Sequence, residues 1–277
     1  MSKQLRIWLF ALLGTLLATS SLLAEGVITM TTSKRVGERI SLQIEANGNV
    51  TIDGAQETGQ TNEDGQKYYT IENQTITIRG DVTELDCSWN QLTSLDVSKN
   101  TALINLDCSF NQLTSLDVSK NSALTRLNCS ANGLTSLNLP KSTALTTLDC
   151  SFNQLTSLDV SKNTALTVLS CYNNQLTSLD VSKNTALTEL DCSKNQLTSL
   201  NISRCARLEV LFCFSNCING KAMTKLGNSL PNRRGMAHGT VFLVDRSSKK
   251  KDKNRCSAAD VTTAKKKNWE VGQLRAF

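Results

Sequence analysis

The chain has 277 residues, 39% of them apolar and 5% aromatic, with a net charge of +6 and a single histidine, His238. It carries enough apolar material for a sizeable core, and beyond its first two dozen residues no run reaches the roughly 18 apolar residues that a membrane-spanning helix needs. One loop histidine, with no GxSxG turn, HExxH helix, phosphate loop or dinucleotide fingerprint, leaves no constellation for catalysis, so the chain reads as nonenzymatic, without cofactor or metal.

In chain order, Lys3 and Arg6 precede an apolar run from Ile7 to Leu17 and a small-residue stretch ending at Ala24, the three parts of an export signal. Residues 1–24 are therefore expected to be a signal peptide, and the mature chain to be exported: secreted, on the cell surface or periplasmic. Residues 25–81 hold several alternating segments, among them Val27-Ile-Thr-Met-Thr, Arg39-Ile-Ser-Leu-Gln-Ile-Glu and Thr75-Ile-Thr-Ile-Arg, separated by Gly and Asn; they predict an antiparallel β cap.

From Val82 the sequence repeats with a period of 21 residues: Cys87, Cys108, Cys129, Cys150, Cys171, Cys192 and Cys213 share one position in units that start at Val82, Leu103, Leu124, Leu145, Leu166, Leu187 and Leu208. One unit places Leu187, Leu190, Cys192, Asn195, Leu197 and Leu200 at the apolar and Asn positions of LxxLxCxxNxLxxL, a leucine-rich pattern with Cys where a third Leu usually stands. The alternation around Leu190 and Cys192 predicts a short strand, and seven such strands stack into a parallel sheet along a solenoid covering residues 82–218. Asn90, Asn111, Asn132, Asn153, Asn174, Asn195 and Asn216 fall where the chain leaves each strand. An amide there can donate and accept at once, so the column is expected to be a structural ladder. The following Asp-x-Ser-Lys-Asn is expected to form a polar outer turn, with the charges of Asp96 and Lys99 and their equivalents alternating.

The ladder cysteines point the same way from parallel strands, which gives the wrong torsion for disulfides, so buried free thiols are expected. Cys205, Cys217 and Cys256 stand outside that column, with pairing between two of them left open. Residues 219–277 lose the period. Helical spacing between Lys221 and Leu230, a strand at Val241 to Val244 and a short helix near Val261 to Lys267 predict a C-terminal cap. The basic runs Lys249 to Arg255 and Lys265 to Lys267 have no aromatic stacking platform, so they read as solvated loop and not as a nucleic-acid site.

The repeated motif LDCSxNQLTSLDVSKNTALT closely resembles the 21-residue cysteine-type leucine-rich repeats of the bacterial internalin-like group. The resemblance implies a solenoid with its parallel β-sheet on the concave face, an N-terminal β cap and a C-terminal α/β cap. It also implies an exported protein acting in adhesion or in interaction with a host or neighbouring cell.

Comparing the units with one another isolates the positions free to vary. One exposed strand column carries Glu84, Asn105, Arg126, Thr147, Val168, Glu189 and Val210, and another Ser88, Ser109, Ser130, Ser151, Tyr172, Ser193 and Phe214. Asp86, Asp107 and Asp191 form an Asp column on the same face, and beside them stand the aromatics Trp89, Phe110, Phe152 and Phe212. Exposed aromatics are favoured interface anchors. These residues are the candidate binding face, expected to hold a protein or glycan partner with the chain acting as a monomer. A structural envelope protein with no specific ligand is the alternative, and it predicts that the same positions have merely drifted.

Overall fold

The computed structural model of the protein describes residues 26–245 and 252–272. The segment read as an export signal, and Lys249 to Lys251 of the basic run, lie outside the described residues.

Six strands precede the first repeat: β1 (Val27–Thr32), β2 (Arg39–Ala46), β3 (Thr51–Asp53), β4 (Ala55–Thr61), β5 (Lys67–Ile71) and β6 (Thr75–Arg79). They pair antiparallel, β2 with β5 and β5 with β4, and β6 with both β1 and β3. Alternation does the sorting: Ile28, Met30, Ile76 and Ile78 turn into the core while their neighbours face out. Gly54, at φ +88°, makes the turn between β3 and β4, where a Cβ would sit 2.5 Å from the carbonyl oxygen of Thr75.

Each repeat then contributes one strand to a parallel sheet: β7 (Val82–Asp86), β9 (Asn105–Asp107), β11 (Arg126–Asn128), β13 (Thr147–Asp149), β14 (Val168–Ser170), β15 (Glu189–Asp191) and β16 (Val210–Phe212). Their register is one full unit throughout, Glu84 beside Asn105, Arg126 beside Thr147 and Glu189 beside Val210. On the returning side, β8 (Leu92–Asp96) pairs with β1, and β10 (Ser115–Asp117) pairs with β12 (Ser136–Asn138). Between the two sides lies a continuous core in which Leu85, Cys87, Leu92, Val97 and their equivalents are buried. Each coil would otherwise leave an open apolar end, and the first is closed twice, by β2 on β7 and by β1 on β8.

Past the last repeat come α1 (Gly220–Ser229), β17 (Gly239–Phe242), α2 (Ala258–Lys266) and β18 (Trp269–Val271). Ser257 starts α2 with a capping box: its hydroxyl accepts from the Asp260 N–H while the Asp260 carboxylate accepts from the Ser257 N–H. β17 and β18 continue the parallel run, and with the antiparallel β2, β5 and β4 at the other end the sheet has twelve strands in the order β18-β17-β16-β15-β14-β13-β11-β9-β7-β2-β5-β4. Buried Trp269 packs against Gly239, whose lack of a Cβ admits the indole, and its Nε1 donates to the Pro231 carbonyl at 2.8 Å. Among the described residues no helix is long and apolar enough to cross a membrane.

The outer turn differs from its expected polar character. Asn100, Asn121, Asn163 and Asn184 are buried, not exposed, and form a second amide column. The Nδ2 of Asn184 donates to the carbonyls of Val160 at 3.0 Å and Asn163 at 2.8 Å, tying its coil to the one before. Cys205 occupies the same place one unit on, and its thiol points at the Val181 carbonyl, 3.7 Å away, the group an asparagine there would meet. The aspartates of this turn make no ion pair with the lysines among the described residues. Instead Asp96 accepts from the Ser98 N–H at 2.9 Å, and Asp117, Asp159 and Asp180 do the same two residues on. Those serine hydrogen bonds hold all four carboxyls below the ordinary range.

Candidate functional site: the strand face and its aromatic rim

The face is built on the ladder. The Oδ1 of Asn153 accepts from the Leu134 N–H of the preceding coil at 2.9 Å, and its Nδ2 donates to the carbonyls of Cys129 at 3.0 Å and Cys150 at 3.1 Å. The same accept-and-donate pattern binds Asn111, Asn132, Asn174, Asn195 and Asn216. Asn90, which has no preceding repeat, turns to β2: it accepts from the Ser41 N–H at 2.9 Å and donates to the Ser41 carbonyl. At the other end the period fails but the chemistry does not. Asn254 accepts from the Ile218 N–H at 2.8 Å and donates to the Cys213 carbonyl at 2.8 Å, which makes it an eighth rung supplied by the cap.

Next to the ladder the seven cysteines are fully buried and free. Several thiols face a carbonyl of the next coil, as Cys150 faces that of Ser170 at 3.4 Å, and burial pushes all seven upward, away from the reactive thiolate. Cys205, also buried and free, is pushed up to about 11 by the same cause. These thiols pack; they present nothing to a ligand.

Outward from the sheet, Glu84, Arg126 and Glu189 are exposed and Asn105 half-buried, and the second column of Asp86, Asp107 and Asp191 is half-buried. Each of these aspartates accepts from a serine N–H two residues on, at 2.9 Å. Asn128 Nδ2 donates to the second carboxylate oxygen of Asp107 at 2.8 Å. Burial raises Asp191 above the ordinary carboxyl range, against the lowering effect of its Ser193 bonds. Near the first coils the columns line a shallow trough of about 440 Å³, with Gln43 of β2 at one end and Asp149 at the other. Register places Glu45 beside Glu84, and Glu270 beside Thr240, so the face continues into both caps.

The sequence reading is corrected at the position after each cysteine. Ser88, Ser109, Ser130, Ser151 and Ser193 are buried, as is Phe214, only 7% exposed. The reason is that period-two alternation stops at the cysteine: the strand has ended, and the chain turns there as the serine N–H bonds the aspartate two residues back, or Asn128 in the case of Ser130. Phe214, in the last coil, lies under the C-terminal segment, where Asp252 accepts from the Ser215 N–H at 2.8 Å and the Asp245 N–H at 2.7 Å. Phe214 therefore leaves the candidate face. Phe212 is half-buried and stacked on Phe242, with centroids 4.8 Å apart. Tyr172 is half-buried edge-on to Phe152 at 5.0 Å, under the ammonium of Lys194 at 5.0 Å.

The exposed aromatics stand one position further on, at the rim where the strands end. Trp89 is 65% exposed, Phe110 45% and Phe152 51%. Trp89 and Phe110 stack with centroids 3.9 Å apart and planes within 8°. The whole column is left-handed: Trp89 at φ 60°, Phe110 at 53°, Ala131 at 52°, Phe152 at 53°, Asn173 at 56°, Lys194 at 50° and Ser215 at 53°. Asparagine tolerates that region best among non-glycine residues, and a bulky side chain there is strained.

Residues 143–184 and 164–204 each match the family model of leucine-rich repeats in two copies. The solved functional domain of InlJ from Listeria monocytogenes, described as including a cysteine ladder, is 40% identical with a TM-score of 0.51, over 58% of this chain and 34% of that one. A leucine-rich-repeat protein of Leptospira interrogans (24% identical, TM-score 0.51, 69% and 47% covered) and the internalin InlF of Listeria monocytogenes (20%, 0.51, 64% and 48%) share the fold. The chain thus spans about a third of the InlJ chain and about half of each of the other two. No curated protein matches it. The period, the parallel sheet and these matches define a leucine-rich-repeat protein. Within that class it resembles the internalins, with 21-residue repeats around a cysteine ladder.

Proposed function

We propose that the chain is exported and binds a protein partner through the concave strand face and its aromatic rim, in adhesion to or interaction with a host or neighbouring cell. The observation that carries this reading is the rim itself. Trp89, Phe110 and Phe152 expose large rings at left-handed positions where Asn173 shows the cheaper choice. Drift under no constraint favours residues that relax such a position, and a left-handed non-glycine residue costs roughly 1 to 2 kcal/mol. Rings held on hydrogen-bonded coils lose little further freedom on association, which lowers the ordering cost of binding. The internalin-like relatives support the same use of the fold.

The test replaces Trp89, Phe110 and Phe152 together with Asn, the residue the backbone prefers, and measures adherence of the purified protein to host and neighbouring cells. Adherence is expected to fall by at least about tenfold, the equivalent of 1.4 kcal/mol, with thermal stability unchanged or raised. Undiminished adherence in a folded triple variant would overturn the reading.

A further inference from the structure

Resting on the binding reading above, we infer that the partner presents a basic, arginine-bearing polypeptide segment, with one guanidinium seated between the rings of Phe110 and Phe152. The rim is interrupted at one coil. Where Trp89, Phe110 and Phe152 carry rings, the third repeat has Ala131, and two residues on Gly133 replaces the glutamine of its neighbours Gln112 and Gln154. Both changes remove bulk from the same coil.

Coils repeat at about 4.8 Å, so Phe110 and Phe152, two coils apart, bound a slot about 10 Å wide above Ala131. Trp89 covers the far side of Phe110, and Tyr172 steadies Phe152 from the other direction. A planar cation centred in the slot lies about 5 Å from each ring, inside the roughly 6 Å reach of a cation–π contact. The rim already makes such a contact, since the Lys194 ammonium sits 5.0 Å from the Tyr172 ring.

Charge selects the same occupant. On a chain of net charge +6, the outward columns from Glu45 to Glu270 carry Glu84, Asp86, Asp107, Asp149, Glu189 and Asp191 besides those two, against the guanidinium of Arg126 alone. Among the described residues no hydrogen bond engages the second carboxylate oxygen of Asp86 or Asp149, whose first accepts from Ser88 or Ser151. Asp149 stands three residues before Phe152, a span of at most about 10 Å. Further basic side chains of the same segment therefore meet carboxylates when one occupies the slot. Arginine suits the slot better than lysine because its flat, weakly hydrated guanidinium stacks on aromatic faces and also forks onto a carboxylate.

The experiment titrates the full-length mature protein by calorimetry with four nine-residue peptides: all-arginine, all-lysine, all-glutamate, and a neutral one alternating Tyr and Ser. Two variants borrow residues that the repeats already use at equivalent positions, so both keep the fold. Ala131→Phe closes the slot with the residue of the adjacent coils, and Asp86→Asn with Asp149→Asn follows Asn128, which bonds its own serine in the same way. The arginine peptide is expected to bind about tenfold tighter than the lysine peptide, within the range of a desolvated cation–π contact. Ala131→Phe should erase that preference and leave lysine binding unchanged, the aspartate variant should weaken both peptides several-fold, and the glutamate peptide should not bind.

Equal binding of arginine and lysine, no binding of either, or arginine binding indifferent to Ala131→Phe overturns the inference. If the Tyr-Ser peptide alone binds, and loses binding in Ala131→Phe, the partner class is wrong while the face remains a binding surface. If in addition the triple asparagine variant adheres to cells normally, the binding reading falls as well.

Discussion

Two columns of asparagine, buried or half-buried, run along the solenoid, and the repeats treat them differently. The inner column, Asn90 to Asn216 at the strand ends, is asparagine in all seven units; the outer one is Asn100, Asn121, Asn163 and Asn184, with Ser142 and Cys205 at two further places. Inner amides use both ends, as Asn153 does with Leu134, Cys129 and Cys150. Asn121, Asn163 and Asn184 donate twice, but the Oδ1 atoms of Asn121 and Asn184 have no hydrogen-bond partner among the described residues; Asn100, in the first coil, instead exchanges a donor and an acceptor with Val82. A place that asks only for a donor admits a thiol, as Cys205 shows, or a hydroxyl, as at Ser142, which donates instead to the Ser122 carbonyl at 2.7 Å and accepts from the Ala144 N–H at 2.9 Å. One that must also accept from a buried N–H cannot. Tolerance within this one chain follows the number of backbone groups each side chain satisfies.

The largest expected effect tests that rule directly. Asn153→Ala strands the buried Leu134 N–H and leaves the Cys129 carbonyl with the Asn132 amide alone, at 3.3 Å, and should lower unfolding free energy by about 2 to 3 kcal/mol, read from denaturant midpoints at constant slope. Asn254→Ala removes the rung that the C-terminal cap supplies. Its cost, about 1 to 3 kcal/mol, should be local, with hydrogen-exchange protection lost in α1, β17, α2 and β18 and retained in β9 to β14; uniform loss would mean that the cap is not docked by this amide. Asn184→Ser, which copies Ser142, should cost less than about 1 kcal/mol. Equal losses for Asn153→Ala and Asn184→Ser would break the distinction between the columns.

The smallest effect concerns the strand face. Burial holds the folded carboxyl of Asp191 above its ordinary value, so its charged form opposes folding at neutral pH. Asp191→Asn keeps the acceptor for Ser193, as Asn128 does for Ser130 at 3.1 Å, and removes the charge. Thermal stability should rise slightly at pH 7. The gain should shrink as pH falls through the raised folded value toward the unfolded one, near 3.9, where wild-type Asp191 becomes neutral in both states. A gain that grows in acid would show that desolvation is not the cause.

The coil and the inner ladder were legible in the sequence because identical units must do identical work, and a period of 21 residues with one Asn and one Cys per unit admits few other solutions. Legibility ended where the period did. Asn254 is a rung in its chemistry but falls 38 positions after Asn216, with a helix and a strand between, so no spacing marks it. The burial of Ser88 and its equivalents was hidden for a different reason. Alternation is a rule for strands, and the serine lies just past the strand, in a turn closed by the side chain two residues back. The same local geometry moved Phe214 off the candidate face and left Trp89, Phe110 and Phe152, one residue later in the unit, as the outward side chains. A repeat motif records that a position is constrained; it does not say which backbone group imposes the constraint.

Each rung joins only neighbouring coils, and the two ends are sealed by Ser41 and Asn254 through the same pair of backbone groups that any coil offers. Excising or duplicating one whole unit therefore leaves both seals chemically unchanged. Near-identical repeats invite such recombination, and here it would slide the Ala131 gap nearer to or farther from either end without disturbing the walls on its two sides. The solenoid works as an adjustable ruler, on which the distance between the Ala131 gap and the caps is set by counting units and needs no new core.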